Sequence, residues 1–138
     1  MANVLITGAS GFIGSFLVEE ALKKGHTVYA GIRHSSAKTY LADPGIRFLE
    51  FDFSTRQKVI SVLEQCRTGG IRFDYIIHNA GVTKARKKED FYNVNCGNTI
   101  HFIEALKDTG MVPQKFVFMS SLAAYGPGDP VTGEPVRL

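Results

Sequence analysis

The sequence predicts an α/β domain built on a doubly wound parallel sheet, strand order 3-2-1-4-5. Three observations carry that prediction. Short β-favouring runs alternate with helical runs, which requires parallel strands joined by right-handed crossovers. The strand runs are nearly continuously apolar, as strands covered on both faces are. The first strand meets the first helix through glycines at 8, 11 and 14, a spacing suited to a tight βα turn. No repeat, linker or low-complexity tract interrupts the 138 residues, so 1–138 reads as one domain.

Each element follows from local signals. Residues 3–7 form the first strand. Residues 12–24 form a helix, with Phe12, Ile13, Phe16, Leu17, Ala21 and Leu22 assigned to its buried face. Gly25 stops it directly after Lys23 and Lys24, a glycine beyond the end with cations in the last turn. Residues 27–32 make the second strand. The polar stretch from Arg33 to Ala42 is read as a weak helix. Asp43-Pro44-Gly45 is turn chemistry, and 46–51 is the third strand. Ser54 is expected to cap a helix over 55–67, with Gln57 completing a capping box. Gly69-Gly70 breaks the chain before a fourth strand from Asp74 to His78. A helix covers 89–109 and ends at Gly110. Lys115 to Ser120 is the fifth strand, and the Gly- and Pro-rich residues after Ser121 read as loop.

The glycine turn carries chemistry. Gly8 supplies a backbone conformation closed to other residues. Gly11, without a Cβ, lets the backbone approach a pyrophosphate. Gly14 lets the helix pack close to the strand. The N–H groups at the helix start and its positive dipole end then face phosphates. A purely structural βα turn is the other reading. The position between the first strand and the first helix favours the dinucleotide, held at the carboxyl ends of strands 1 and 4.

The end of strand 2 bears on which dinucleotide. An acid there would bind a ribose 2′-hydroxyl, and Gly31, Ile32 and Arg33 include none. A guanidinium binds a 2′-phosphate bidentately, so Arg33 points to NADP over NAD, with His34 and Lys38 adding charge. Otherwise Arg33 is a solvated residue opening a loop.

Composition sets outer limits. Hydrophobic residues make up 44%, ordinary for a globular protein, and the net charge of +3 is too small to imply nucleic acid or a membrane surface. Cys66 and Cys96 form no disulfide framework and lack zinc-ligand spacing. No apolar run has transmembrane length, and no basic segment precedes an apolar one at the N-terminus. A cytoplasmic protein is the expectation. Lys84, Arg86, Lys87 and Lys88 form the one dense basic cluster, either a solvated loop or an attractor of phosphorylated substrate. His78, inside a strand, reads as a packed core histidine.

Several segments together resemble the extended short-chain dehydrogenase/reductase family, in its NAD(P)-dependent epimerase/dehydratase branch. Thr7-Gly8-Ala9-Ser10-Gly11-Phe12-Ile13-Gly14 matches the family's T-G-A-x-G-F-I-G turn. Asp52-Phe53 stands where the family contacts adenine, and His78-Asn79-Ala80-Gly81 resembles its H-x-A-G segment. Asn95 resembles the first residue of N-x-x-G-T, although Asn98 replaces the usual glycine. Ser120-Ser121 through Tyr125-Gly126 is similar to its S-S-x-x-x-Y-G strand end.

The resemblance implies a Rossmann fold and a cofactor site built from Gly8, Ser10, Gly11, Phe12, Ile13, Gly14, Arg33, Asp52, Phe53, Asn79, Ala80, Gly81 and Asn95. Asp52 either accepts from the adenine amino group or serves as a turn residue ahead of Ser54. Asn95 would tie the fourth helix to the fourth strand. Ser121 would hold the reacting substrate oxygen. The substrate implied is a small molecule such as a nucleotide sugar, with hydride passing between its carbon and the nicotinamide.

Family members also use a tyrosine with a lysine four residues on, because an ammonium favours phenolate. The residues four beyond Tyr29, Tyr40, Tyr75, Tyr92 and Tyr125 are Arg33, Pro44, Asn79, Cys96 and Asp129, none of them lysine. The expectation is a cofactor half without its substrate lobe, inactive alone and prone to self-association through a bare fifth strand. A non-catalytic dinucleotide sensor or scaffold is the alternative.

Overall fold

The structure is a computed structural model that describes residues 1–121, 124 and 131–133. Five parallel strands stand in the order predicted: β1 (Asn3–Thr7), β2 (Thr27–Ile32), β3 (Arg47–Glu50), β4 (Tyr75–His78) and β5 (Lys115–Phe118), arranged β3-β2-β1-β4-β5. Register places Thr7 opposite both Gly31 and His78, and His78 opposite Phe118. The carboxyl ends therefore finish along one rim.

Side chains alternate across a strand, and the two faces fill separate core layers. Leu5, Tyr29 and Ile76 point to the layer closed by α2 (Arg56–Thr68) and α4 (Asn98–Asp108), with Val59, Leu63, Phe102 and Leu106. Val4, Ile6, Val28 and Ala30 point to the opposite layer, closed by Val18 and Ala21 of α1 (Phe12–Lys23). Edge strands depart from the expectation of cover on both faces. β3 and β5, the two edges of the sheet among the described residues, keep most of their residues exposed. Val117, Phe118 and Met119 are among the exposed apolar residues.

The buried face of α1 differs from the one assigned. Phe12, Ile13 and Phe16 are 78%, 53% and 58% exposed, and the inward stripe is Gly14, Val18 and Ala21. Gly14 decides this: the helix meets β1 at its glycine, so positions one and two turns later follow it inward. Leu17 and Leu22 pack only on the flank. Gly25 behaves as predicted, with φ +77° and its N–H donating to the Leu22 carbonyl.

The stretch after β2 is not a helix. Isolated turns, Ser36 N–H to Arg33 carbonyl and Leu41 N–H to Lys38 carbonyl, take its place. It has no apolar stripe to hold a helix on the sheet, and only Leu41 reaches the core. Asp43-Pro44-Gly45 is the expected turn, its Asp43 carboxylate accepting from Gly45 N–H at 2.7 Å.

The cap of α2 is Thr55, not Ser54. Thr55 Oγ1 accepts from Lys58 N–H, whereas Ser54 N–H is bound by the Asp52 carboxylate at 2.9 Å, fixing Ser54 in the preceding turn. Thr55→Ala is expected to lower stability by about 1 kcal/mol. Ser54→Ala should lower it by no more than roughly 0.5 kcal/mol. Urea midpoints of the two variants check this.

The single helix expected over 89–109 is three pieces: α3 (Lys88–Tyr92), a π-helical turn (Asn93–Gly97) and α4. Asn95, whose side chain is pulled toward the loop after β4, sits in the widened turn. Tyr125 and Gly126 of the strand-end motif lie outside the described residues.

Candidate dinucleotide site

Strand order brings five loops to one rim: 52–53 after β3, Arg33 after β2, the glycine turn after β1, 79–81 after β4 and Ser121 after β5. The centre is built on contact between the β1 and β4 turns. Gly8 has φ +65°, and a Cβ there would stand 2.8 Å from both Ala80 N and the Asn79 carbonyl. A Cβ on Gly14 would run into the Gly8 carbonyl, so α1 rests directly on the turn. A Cβ on Gly11 would meet only the Gly8 carbonyl, at 3.4 Å, which is ordinary contact. The space around Gly11 thus tolerates a small side chain, unlike that around Gly8 and Gly14.

The start of α1 is bare. Gly11 is its cap residue, with no side-chain cap bond and no acid in the first turn. Its first N–H groups thus lie open between exposed Phe12 and Ile13 and half-buried Ser10. α2, by contrast, carries a side-chain cap. An uncapped helix start beside a glycine turn is chemically an anion seat.

Asn79, Ala80 and Gly81 close the other side. Asn79 Nδ2 donates to the Gly8 carbonyl at 3.4 Å, and Ala80 N–H donates to Thr7 Oγ1 at 3.2 Å. Asn95 grips the next residue twice: its Oδ1 accepts from Val82 N–H at 2.8 Å, and its Nδ2 donates to the Val82 carbonyl at 2.9 Å. A Cβ on Gly81 would stand 2.9 Å from Asn95 Oδ1, which accounts for glycine there.

Beneath these turns lies His78, 1% exposed. Its Nδ1 is 2.8 Å from Thr7 Oγ1 and its Nε2 is 3.0 Å from Thr99 Oγ1. Burial lowers its pKa from 6.5 to about 4, so the ring is neutral at physiological pH. Sequence reading finds the core histidine but misses Thr7 and Thr99 as its partners. The available signal is a threonine and a histidine each closing an adjacent strand.

The β2–β3 side is less compact. Arg33 is exposed, with its N–H donating to Ser36 Oγ. His34 faces Glu50 at 3.0 Å, and Lys38 Nζ sits 4.4 Å from the centroid of the Phe48 ring, so strand β3 engages both side chains expected to assist Arg33. Asp52 makes two local contacts: Oδ1 accepts from Ser54 N–H and Oδ2 is 2.6 Å from Lys58 Nζ. Lys58, then Ser54, lower its pKa to about 2. The Phe53 ring turns inward and stacks on Phe51 at 5.2 Å. A cleft of about 290 Å³ borders Asp52, Lys58 and His34, and no glycine-turn residue lines it.

Ser121 lies exposed beyond β5, its carbonyl accepting from Ala124 N–H. Among the described residues no three His, Cys, Asp or Glu side chains are placed to hold a metal, and no helix is long and apolar enough to cross a membrane. Cys66 and Cys96 are both unbridged.

Comparison with known proteins agrees with this geometry. The family described as NAD dependent epimerase/dehydratase matches residues 4–137. An uncharacterized protein, y4nG of Sinorhizobium fredii, is 33% identical over 96% of this chain and 31% of its own length. UDP-glucose 4-epimerase of Erwinia amylovora is 28% identical over 94% of this chain and 40% of its own. The UDP-Glc/GlcNAc 4-epimerase structure from Campylobacter jejuni superposes with a TM-score of 0.79 at 28% identity, covering 100% of this chain and 44% of that one. The chain thus spans well under half of these relatives. A match running from residue 4 to residue 137, on a parallel sheet ordered β3-β2-β1-β4-β5, leads to one conclusion: the chain belongs to the NAD-dependent epimerase/dehydratase family.

Proposed function

We propose that residues 1–138 are the dinucleotide-binding domain of an epimerase, dehydratase or reductase acting on a nucleotide sugar or a related hydroxyl or carbonyl substrate. The bare start of α1, set against the 79–81 turn, carries this reading. The pyrophosphate would sit on the N–H groups of Phe12 and Ile13, beside Ser10 and over Gly8, Gly11 and Gly14. The adenosine half would lie toward Arg33 and Asp52. The Asp52 carboxylate, ionised at working pH, would accept from an adenine amino group, and Phe53 would anchor that turn in the core. Asn79, Ala80 and Gly81, braced by Asn95, would form the opposite wall.

When bound, the nicotinamide cofactor supplies the hydride exchange. This chain's residues bind it, orient it and hold the reacting oxygen. Ser121 at the rim is the proposed oxygen ligand, donating its hydroxyl proton in a hydrogen bond. No Tyr-x-x-x-Lys pair occurs in the sequence, so proton exchange and substrate contacts would come from a substrate lobe outside these residues. This chain by itself should bind cofactor without turnover. The named nucleotide-sugar epimerases among its relatives support the substrate class.

We also infer a preference for NADP. No acid ends β2, and Arg33 makes no side-chain ion pair among the described residues. Calorimetric titration with each dinucleotide tests both readings. NADP is expected to bind roughly tenfold tighter than NAD, and Arg33→Asp should reverse the order. Tighter NAD binding by the unaltered chain defeats the preference, while binding of neither dinucleotide defeats the site.

A further inference from the structure

We propose that His78 is a positioning residue that fastens the Gly8 turn to the Asn95 clamp, so that one imidazole holds both flanks of the dinucleotide site. The inference rests on the site proposed above and adds a group that touches no ligand. Its basis is a continuous polar chain through an otherwise apolar layer. Ala80 N–H donates to Thr7 Oγ1, Thr7 Oγ1 meets His78 Nδ1, His78 Nε2 meets Thr99 Oγ1, and Thr99 Oγ1 donates to the Asn95 carbonyl. Asn95 in turn holds Val82 by both backbone groups.

The direction of the chain is fixed by donor and acceptor supply. The Thr99 hydroxyl proton is committed to the Asn95 carbonyl at 2.9 Å, so Thr99 Oγ1 offers His78 only lone pairs. The ring must therefore carry its proton on Nε2. Nδ1 is then an acceptor, and the Thr7 hydroxyl donates to it while accepting from Ala80 N–H. Every buried polar atom of the chain is satisfied in this one arrangement, and no buried side-chain N or O among the described residues is left over. A second arrangement would reverse the Thr7 hydroxyl directly under the Gly8 turn.

Among the described residues no ion pair involves the ring. Its ring neighbours are Phe53 after β3, Phe102 of α4, and Phe116 and Phe118 of β5. Thr7 of β1 and Thr99 of α4 supply its hydrogen bonds. The nearby titratable group on α4, His101, is turned to the Phe53 carbonyl.

The test uses Thr99, across the ring from the glycine turn. Nitrogen-15 ring shifts of the unaltered protein at neutral pH are expected to show the Nε2–H tautomer. Thr99→Val keeps the side-chain shape but removes the acceptor. Nε2–H is then left without an acceptor, the fully satisfied arrangement is lost, and the ring and the Thr7 hydroxyl bonded to it must readjust. The amide resonances of Gly8 and Ala80 should shift, NADP affinity should fall about fivefold, and Thr99→Ser should restore both.

An Nδ1–H ring in the unaltered protein overturns the proposal, and this measurement stands even where Thr99→Val fails to fold. A folded Thr99→Val protein with unmoved Gly8 and Ala80 amides overturns it too. Failure of the unaltered protein to bind either NADP or NAD strikes the site assignment instead, and the ring and amide shifts still decide the coupling.

Discussion

Gly14→Ala is expected to destabilise the protein by about 3 kcal/mol or more, the upper end of overpacking penalties. The added methyl would overlap the Gly8 carbonyl and stand 2.8 Å from Ala9 Cα. Both are backbone atoms of the turn, and neither can rotate away as a side chain would. Relief requires α1 to lift from β1, which unseats Val18 and Ala21 from their layer. Gly11→Ala is the informative control. Gly11 has φ −77° and ψ 172°, a conformation alanine adopts freely, and its new methyl meets only one atom, at 3.4 Å. Its stability should stay within about 1 kcal/mol of the parent. Cofactor affinity should nonetheless fall at least about tenfold, because that methyl would project toward the proposed seat of the diphosphate. Paired urea melts and titrations decide the matter. Equal loss of stability in both variants would show that the two glycines share one structural task.

The second large effect is acid-dependent. His78 titrates near 6.5 when unfolded and near 4 when folded. Between those values the unfolded chain binds the proton and the folded one does not, so stability rises with pH. The contribution is fully present above about 6.5, is lost as pH falls toward 4, and is about 3 kcal/mol in all. Asp52 acts lower, between 3.8 and about 2, so the two windows separate. Urea unfolding at several values from pH 7 to pH 4.5 should show the decline. His78→Asn, which keeps an acceptor for Thr7 and has no proton to gain, should flatten most of it. A parent protein with constant stability across that range would show that the ring is solvated.

Elements whose signals are local are legible in the sequence. β1, β2 and β4, the glycine at the end of α1 and the Asp43 turn all stand where the residues place them. So does the strand order, since alternating strands and helices leave few alternatives. Departures arise where a tertiary contact outranks a local pattern. Phe12, Ile13 and Phe16 form a plausible apolar face, yet Gly14 fixes which side meets the sheet. Ser54 looks like a cap, yet Asp52 has already claimed its N–H. The π-helical turn is invisible to periodicity, and the grip of Asn95 on Val82 that accompanies it spans a loop. At the site, residue identities are readable at the glycine turn and at 79–81. Glu50 beside His34 is not, because the pairing of β2 with β3 brings them together, and Lys58 beside Asp52 is not, because the turn into α2 does.

The surplus residue in the Asn93–Gly97 segment separates surface from interior along one rod. A turn of that kind sets α4 out of phase with α3 by about one residue, roughly 100° of rotation. Phe91 and Tyr92 can thus face outward while Phe102, Ala105 and Leu106 face inward, without a break in the backbone. The upstream half is thereby released from the packing that constrains the downstream half, and its outer residues are open to substitution without disturbing the interior.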